Sequence, residues 1–298
     1  MKLEDIREYG NLELLTKKLV DGFITGKHKS PYHGFSVEFA EHRNYNPGDN
    51  TRFIDWKVFA KTDRLYTKQF DEETNLRCML AVDVSSSMYF PIDTNDKLRF
   101  CTIACGALAN LLQRQRDAFG LTLFGDTIEY ISQTKSTSIH LHNTLIQLQQ
   151  TLDKAPTQKT TDLPKVIHSL ADQIHRRSMV VLFTDFLGED KRIEELFTSL
   201  QHLKHMKHDI ILFHVWDSEQ EELFELEDRP YLLTDAESGD QIKIYPQEIK
   251  DEYAKKVQAY FYDLKLKCGD YGIEFIEADI RKSFDQVFVP FLLKRNAI

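Results

Sequence analysis

Short, almost unbroken apolar runs alternate with amphipathic stretches from residue 76 onward, and this rhythm leaves the chain few folds. The runs are Leu76–Val84 (LRCMLAVDV), Phe119–Gly125 (FGLTLFG), Met179–Phe183 (MVVLF) and Asp209–Val215 (DIILFHV). A strand with one face in water alternates apolar and polar residues. A strand covered on both faces does not, so these runs imply a mostly parallel sheet with helices on either side. The stretches between them carry the helical period. Over 96–118, Leu98, Cys101, Cys105, Leu108 and Leu112 are spaced 3, 4, 3, 4, the stripe of a helix packed on a core. Further helices are predicted through Leu141, Leu145, Leu148 and Leu152, from Pro164 through Ile174, through Ile193, Phe197 and Leu200, and from Ile249 to Leu264. Pro164 suits a first helical turn. A Gly-Asp turn joins FGLTLFG to TIEYIS as a hairpin. Gly272–Ala278 supplies a last strand, and a terminal helix holds Phe284, Val287 and Phe288.

The expected fold is therefore α/β, with a mostly parallel central sheet and helices on both faces over residues 74–298. A hairpin insertion at about 218–246 interrupts it, with turn residues at Glu237-Ser238-Gly239-Asp240. Residues 1–73 form an N-terminal part, with no flexible linker after it and expected to pack against the rest: a helix over about 3–20, with Leu12, Leu15 and Leu19, then a β-rich basic-aromatic segment. Between Gly26 and Lys68 there are eight Lys/Arg and five Asp/Glu. The chain as a whole is acidic, 38 Lys+Arg against 47 Asp+Glu (38 − 47 = −9), which argues against nucleic acid as its partner. No apolar run approaches the roughly 18 residues of a membrane span. The start, MKLEDIREYG, is unlike a signal or transit peptide, so a cytoplasmic location is expected.

Cys78, Cys101, Cys105 and Cys268 show no CxxC pairing and read as buried thiols rather than zinc ligands. His202, His205 and His208, interleaved with Lys204 and Lys207, read as a solvated helix end, and His140 and His142 as surface residues. The acidic stretch Asp217–Asp228 reads as a solvated face, or else as a docking patch for a basic partner.

The chemistry concentrates where the first apolar run ends, in Asp83-Val84-Ser85-Ser86-Ser87. Hydroxyls two residues apart on a turning backbone can point at one spot, with a carboxylate beside them. Such oxygens suit a hard divalent cation, Mg²⁺ or else Mn²⁺ or Ca²⁺. In open α/β sheets, ligands bind outside the carboxyl ends of strands where the strand order reverses. Thr161 opens the helix at Pro164, and Asp185 ends the run MVVLFTD. If the strands beginning at Leu76 and Met179 are neighbours, Asp83, Ser85, Ser87, Thr161 and Asp185 meet in one crevice.

This constellation resembles the metal-ion-dependent adhesion site of the von Willebrand factor A fold, which uses Asp-x-Ser-x-Ser, then a Thr, then an Asp. The resemblance implies direct metal ligation by Ser85 and Ser87, mostly water-mediated contact from Asp83 and Asp185, and either mode from Thr161. Thr160-Thr161-Asp162 stands where many such domains have Gly-Thr-Asn, and Thr184-Asp185-Phe186 where many have Thr-Asp-Gly. A second resemblance covers the chain from about residue 20. Arg43-x-Tyr45, Pro47-Gly48-Asp49, Arg52-x-Ile54-Asp55-Trp56 and Lys68-x-Phe70, followed by DVSSSM, look like bacterial domain-of-unknown-function family 58. There a von Willebrand A-like domain follows such a segment, and its genomic companions are MoxR-type AAA+ ATPases. The segment has its own physical reading: Phe53, Ile54, Trp56 and Phe59 as an apolar anchor, and Arg43, Arg52 and Arg64 able to pair with Asp49, Asp55 or Asp63.

The function expected is a non-catalytic, metal-dependent protein-binding module, an adaptor or co-chaperone of a MoxR-type ATPase in assembling or maturing protein complexes. No GxSxG elbow, P-loop or GxGxxG is present, so no enzyme is expected. The alternatives are a Mg²⁺-dependent phosphoryl hydrolase using the same crevice, or a scaffold with a vestigial metal site.

Overall fold

A computed structural model describes residues 12–25, 39–45, 54–70, 76–154, 160–186, 193–227, 229–235 and 239–296. Its elements are α1 (Leu12–Thr25), β1 (Phe39–Asn44), α2 (Trp56–Thr62), β2 (Tyr66–Phe70), β3 (Arg77–Asp83), α3 (Asp96–Arg114), β4 (Ala118–Phe124), β5 (Ile128–Ile131), α4 (Ser138–Asp153), α5 (Leu163–Gln173), β6 (Met179–Thr184), α6 (Ile193–His205), β7 (Asp209–Trp216), β8 (Tyr231–Thr234), β9 (Gln241–Ile244), α7 (Pro246–Asp270), β10 (Glu274–Asp279) and α8 (Phe284–Asn296). The chain divides into a smaller unit, Ser30–Asn75, and a larger one, Met1–Lys29 with Leu76–Ile298. Helix α1, grouped with residues 1–73 on sequence, belongs to the larger unit because Leu12, Leu15 and Val20 join its core.

In the smaller unit β1 and β2 pair antiparallel. Asp55 caps α2, accepting from the backbone nitrogens of Lys57 at 2.9 Å and Val58 at 3.2 Å, which satisfies two of the helix's orphan donors. Ile54 is buried, but Trp56 is 60% exposed. The largest ring of the apolar anchor expected there is thus mostly exposed, and it meets the edge of Phe59 at 6.1 Å. Pro47-Gly48-Asp49, Arg52 and Phe53 lie outside the described residues, as do Glu237 and Ser238 of the hairpin turn.

In the larger unit six strands form one sheet in the order β10-β7-β6-β3-β4-β5. All pairs are parallel except β4 with β5. Period-two side-chain alternation then splits each apolar run between two cores. Cys78, Leu80, Val82, Val181, Phe183 and Phe213 face α1, α3, α4 and α8. Met79, Ala81, Val180, Leu182, Ile210 and Leu212 face α5, α6 and α7. This is why the runs carry few polar positions, and it is the mostly parallel, doubly covered sheet the sequence implied. The inserted hairpin is β8 with β9. All four cysteines are free and buried. Among the described residues no helix is long and apolar enough to cross a membrane.

Gly106 lets α1 and α4 close on α3. A Cβ there would lie 2.8 Å from Thr16 Cγ2 and 3.0 Å from Leu145 Cδ2, while Thr16 Cβ is 3.8 Å away. Overpacking costs roughly 1–3 kcal/mol, and replacing a helical Gly by Ala returns roughly 1 kcal/mol. Gly106→Ala should therefore destabilise the wild-type chain and cost about 1 kcal/mol less in a Thr16→Ala background, where the closer clash is gone and only Leu145 must give. Urea unfolding of the four proteins checks the difference; an equal cost in both backgrounds refutes the packing argument.

Candidate functional site

The chain runs from β3 outward to β4 and returns to β6 on the other side of β3, so the strand order reverses between β3 and β6. These two strands are direct neighbours, with Val82 paired to Phe183. Asp83 is the last residue of β3, and Asp185 directly follows β6. Both carboxylates thus emerge at the carboxyl ends of adjacent strands at the switch point, where α/β sheets bind ligands.

Local turn chemistry gathers the rest. The Ser85 backbone N–H donates to Asp83 Oδ1 at 2.9 Å, an Asx-type turn that bends the chain sharply after the strand. A 3₁₀ turn, Ser86–Tyr89, follows. It brings the Ser85 and Ser87 hydroxyls to 3.1 Å from one another. Thr161 Oγ1, just before α5, donates toward Asp83 with its oxygens at 3.3 and 3.5 Å. Thr184 Oγ1 donates to Asp83 Oδ2 at 2.7 Å. Asp83, Ser85 and Asp185 are buried while Ser87 and Thr161 are half-buried, so the two latter hydroxyls mark the side open to solvent. The structure brings Asp83, Ser85, Ser87 and Thr161 into one hydrogen-bonded group, with Asp185 beside them on the next strand.

The electrostatics are uneven. Asp83 is pushed up from 3.8 to about 7, first by burial and then by the Asp185 charge, against the lowering effect of its bonds from Ser85 and Thr184. A buried acid in this state is short of positive charge. Asp185 is better served: Lys97 Nζ donates to its Oδ2 at 3.1 Å and also to Glu221 Oε1. Burial opposes the Lys97 charge, but Asp185 and Glu221 outweigh it and the ammonium is held above its ordinary pKa. Glu221 is itself raised, by burial first. On the other side of the strand end, His214 stacks against Trp216 and lies 4.3 Å from the Phe261 ring centroid. Burial drives it down to about 3, so it is neutral.

The donor set fits a hard divalent cation: two carboxylates and three hydroxyls, all oxygen, and among the described residues Asp83 makes no ion pair. Among the described residues no group of three or more His, Cys, Asp or Glu side chains is placed to hold a metal ion; the candidate set has only two such residues, and its other donors are hydroxyls. Asp185 is shared with an ammonium, which any ion entering the crevice meets.

Neither Lys97 nor Glu221 belongs to the site residues read from the sequence. The acidic stretch from Asp217 is not a uniformly solvated face. Glu221 turns in to Lys97, and Asp217 is fully buried, held by Arg281 at 2.8 and 2.6 Å. A carboxylate enters the interior when a cation meets it there. Two of the histidines differ from the surface reading: His208 is buried against Ser178, and His140 is half-buried and bonds the Phe119 carbonyl at 2.9 Å. His142 and His205 are exposed as expected, and His202 meets His168 of α5 at the surface. A signal for Lys97 was present: it stands one turn before Cys101, on the apolar face of α3.

A doubly wound sheet with two carboxylates and three hydroxyls at its switch point is the arrangement that the resemblance to the von Willebrand factor A fold implied. The chain belongs to the family described as "Protein of unknown function DUF58", which matches residues 41–260. It is 28% identical over 287 residues to "Uncharacterized protein Rv1480" of Mycobacterium tuberculosis, covering 96% of this chain and 88% of that one. "Uncharacterized protein Mb1516" of Mycobacterium bovis gives the same figures. Among solved structures it is similar to the conserved hypothetical protein BatB from Bacteroides thetaiotaomicron, with 13% identity, 74% of this chain and 98% of that chain covered and a TM-score of 0.41. The SpRpn10 VWA domain gives 15%, 48%, 77% and 0.35.

Proposed function

We propose that this chain is a non-catalytic, metal-dependent protein-binding module acting in the cytoplasm. Ser85, Ser87 and Thr161 hydroxyls, with the Asp83 and Asp185 carboxylates, would hold Mg²⁺, or else Mn²⁺ or Ca²⁺. The observation that carries the reading is the meeting of Asp83, Ser85, Ser87 and Thr161 at one strand end with Asp185 beside them. When bound, the ion supplies an open coordination position that an acidic side chain of a partner protein can fill. The protein's own part is positional. The turn after β3 fixes the hydroxyls, Thr184 orients Asp83, and half-buried Ser87 and Thr161 leave the approach open on one side. The partner proposed is a MoxR-type AAA+ ATPase, with the chain as adaptor or co-chaperone in assembling or maturing other complexes.

Mn²⁺ or Mg²⁺ should bind the purified chain in calorimetry. Affinity purification from the native cell in Mg²⁺ should recover an AAA+ ATPase, and recovery should fall at least tenfold with EDTA or with Asp83→Ala, since loss of a ligand carboxylate and of the ion remove the same contact. Capture that neither treatment changes refutes metal-dependent binding. Absence of any divalent binding supports instead a scaffold in which Lys97 is the permanent counter-ion.

A further inference from the structure

Lys97 is the second residue of α3 and its side chain is fully buried. Its ammonium serves two carboxylates of different standing. Asp185, at 3.1 Å, belongs to the candidate metal set, and Glu221 does not. Glu221 in turn anchors the turn Ser218–Glu222. Its Oε2 accepts from the Asp217 backbone N–H at 2.7 Å, and its backbone carbonyl accepts from the Tyr253 hydroxyl of α7 at 3.0 Å. A second tyrosine of that helix, Tyr260, donates to the carbonyl of Phe186, the residue after Asp185, at 2.8 Å. Phe186 is held at φ +51°, a conformation that non-glycine residues adopt at some expense. Helix α7 is thus tied to both ends of the Asp185–Lys97–Glu221 chain.

We propose that Lys97 sets the affinity of the metal site, and that Glu221 is the relay through which occupancy of the site reaches α7. The proposal rests on the metal-binding reading above. Three carboxylates and one ammonium, Asp83, Asp185, Glu221 and Lys97, sum to −3 + 1 = −2 when all are ionised. A divalent cation brings that sum to zero, with Asp83 and Asp185 balancing the ion and Glu221 balancing Lys97. Before the ion arrives, Lys97 is the counter-ion of Asp185 and opposes a second cation by like charge. Once the ion takes over Asp185, Lys97 rests on Glu221 alone. Occupancy therefore draws the ammonium toward the Ser218–Glu222 turn and, through Tyr253, bears on α7. Lys97 and Glu221 are positioning residues: neither is assigned to the ion.

The test is Mn²⁺ titration by calorimetry of the full chain as wild type, Lys97→Met, Glu221→Gln and the double variant. Removing the competing ammonium should tighten Kd about tenfold, and removing the charge that draws the ammonium off Asp185 should weaken it about tenfold. In the Lys97→Met background, Glu221→Gln should change Kd less than about threefold, because its effect passes through Lys97. Lys97→Arg, which keeps the charge, should stay near wild type. Hydrogen exchange over 217–222 and α7 should slow on Mn²⁺ addition to the wild type and not to Glu221→Gln. If Lys97→Met does not fold, comparing the double variant with Glu221→Gln still reads the Lys97 effect. A Glu221→Gln effect of equal size in both backgrounds overturns the relay. Equal Kd in all variants overturns the proposal and leaves the metal site standing, and no Mn²⁺ binding in any of them brings down both.

Discussion

Asp83→Asn should make the metal-free protein more stable at pH 8 while abolishing its stabilisation by divalent ions. Asp83 is fully buried and has Asp185 as a charged neighbour, so its ionised form is penalised in the folded state. Its folded pKa is raised from 3.8 to about 7. The folded chain therefore keeps a proton that the unfolded chain releases, and stability falls as pH rises from about 4 to 7, with the whole penalty present above 7. A shift of that size corresponds to roughly 4 kcal/mol at pH 8, and to roughly 2 kcal/mol at pH 5. Asparagine is nearly isosteric, can still accept from the Ser85 N–H, and carries no charge. At about 2–4 °C per kcal/mol for a chain of this size, Tm in EDTA should rise on the order of 8–16 °C at pH 8 and by about half as much at pH 5. Saturating Mg²⁺ should close most of that gap at pH 8, because wild type gains about 2.7 kcal/mol at a hundredfold excess over Kd and the variant gains nothing. Differential scanning calorimetry at both pH values, with and without Mg²⁺, decides it. A variant less stable than wild type in EDTA at pH 8 refutes the electrostatic account of the site. The cost that Asp83 imposes on the empty fold is the counterpart of its use for a cation, as strained and underpaired groups at binding sites commonly are.

Much of this was legible before any coordinates, for physical reasons. Strands covered on both faces must be apolar at successive positions, so LRCMLAVDV, MVVLF and DIILFHV announced themselves; helices α3, α5 and α6 followed from period and caps. Asp83 and Asp185 were legible because a carboxylate at the end of an apolar strand has few reasons to be there. What escaped was pairing across the fold. Glu221 lies 124 residues from Lys97 and Arg281 lies 64 from Asp217, and charged residues in a polar stretch look the same whether they face water or a buried partner. Trp56 escaped in the opposite sense. A large aromatic among apolar neighbours reads as an anchor, yet α2 turns it outward. The exception that could have been caught is Lys97, whose place on the stripe leading to Cys101, Ala104 and Leu108 is where a helix does not put a cation without a reason.

That reason can be measured as stability. Lys97→Met replaces a fully buried ammonium with an apolar side chain of similar length and leaves Asp185 and Glu221, at 5% and 14% side-chain exposure, without the ammonium they share. Breaking a buried pair by removing one partner typically costs about 3–5 kcal/mol, because the remaining charge is uncompensated. Here two carboxylates lose a shared partner, so the upper end is expected in EDTA at pH 8. Three conditions should return part of it, each by supplying what the ammonium supplied. Lowering the pH does so by protonation. The folded pKa of Glu221 is already raised, with Lys97 among the groups lowering it, and removing Lys97 raises it further. Its penalty therefore sets in as pH rises above the unfolded value, and the deficit of the variant narrows on acidification. Glu221→Gln in the same chain removes one of the two carboxylates that shared the ammonium and should restore roughly half. Mn²⁺ should restore more in the variant than it adds to wild type, since the ion enters without a competing cation. Chemical unfolding of Lys97→Met at pH 5 and 8, with and without Mn²⁺, separates these contributions. A deficit below about 1 kcal/mol at pH 8, the size of an exposed pair, or one that widens on acidification, means that the ammonium is not what balances the interior carboxylates.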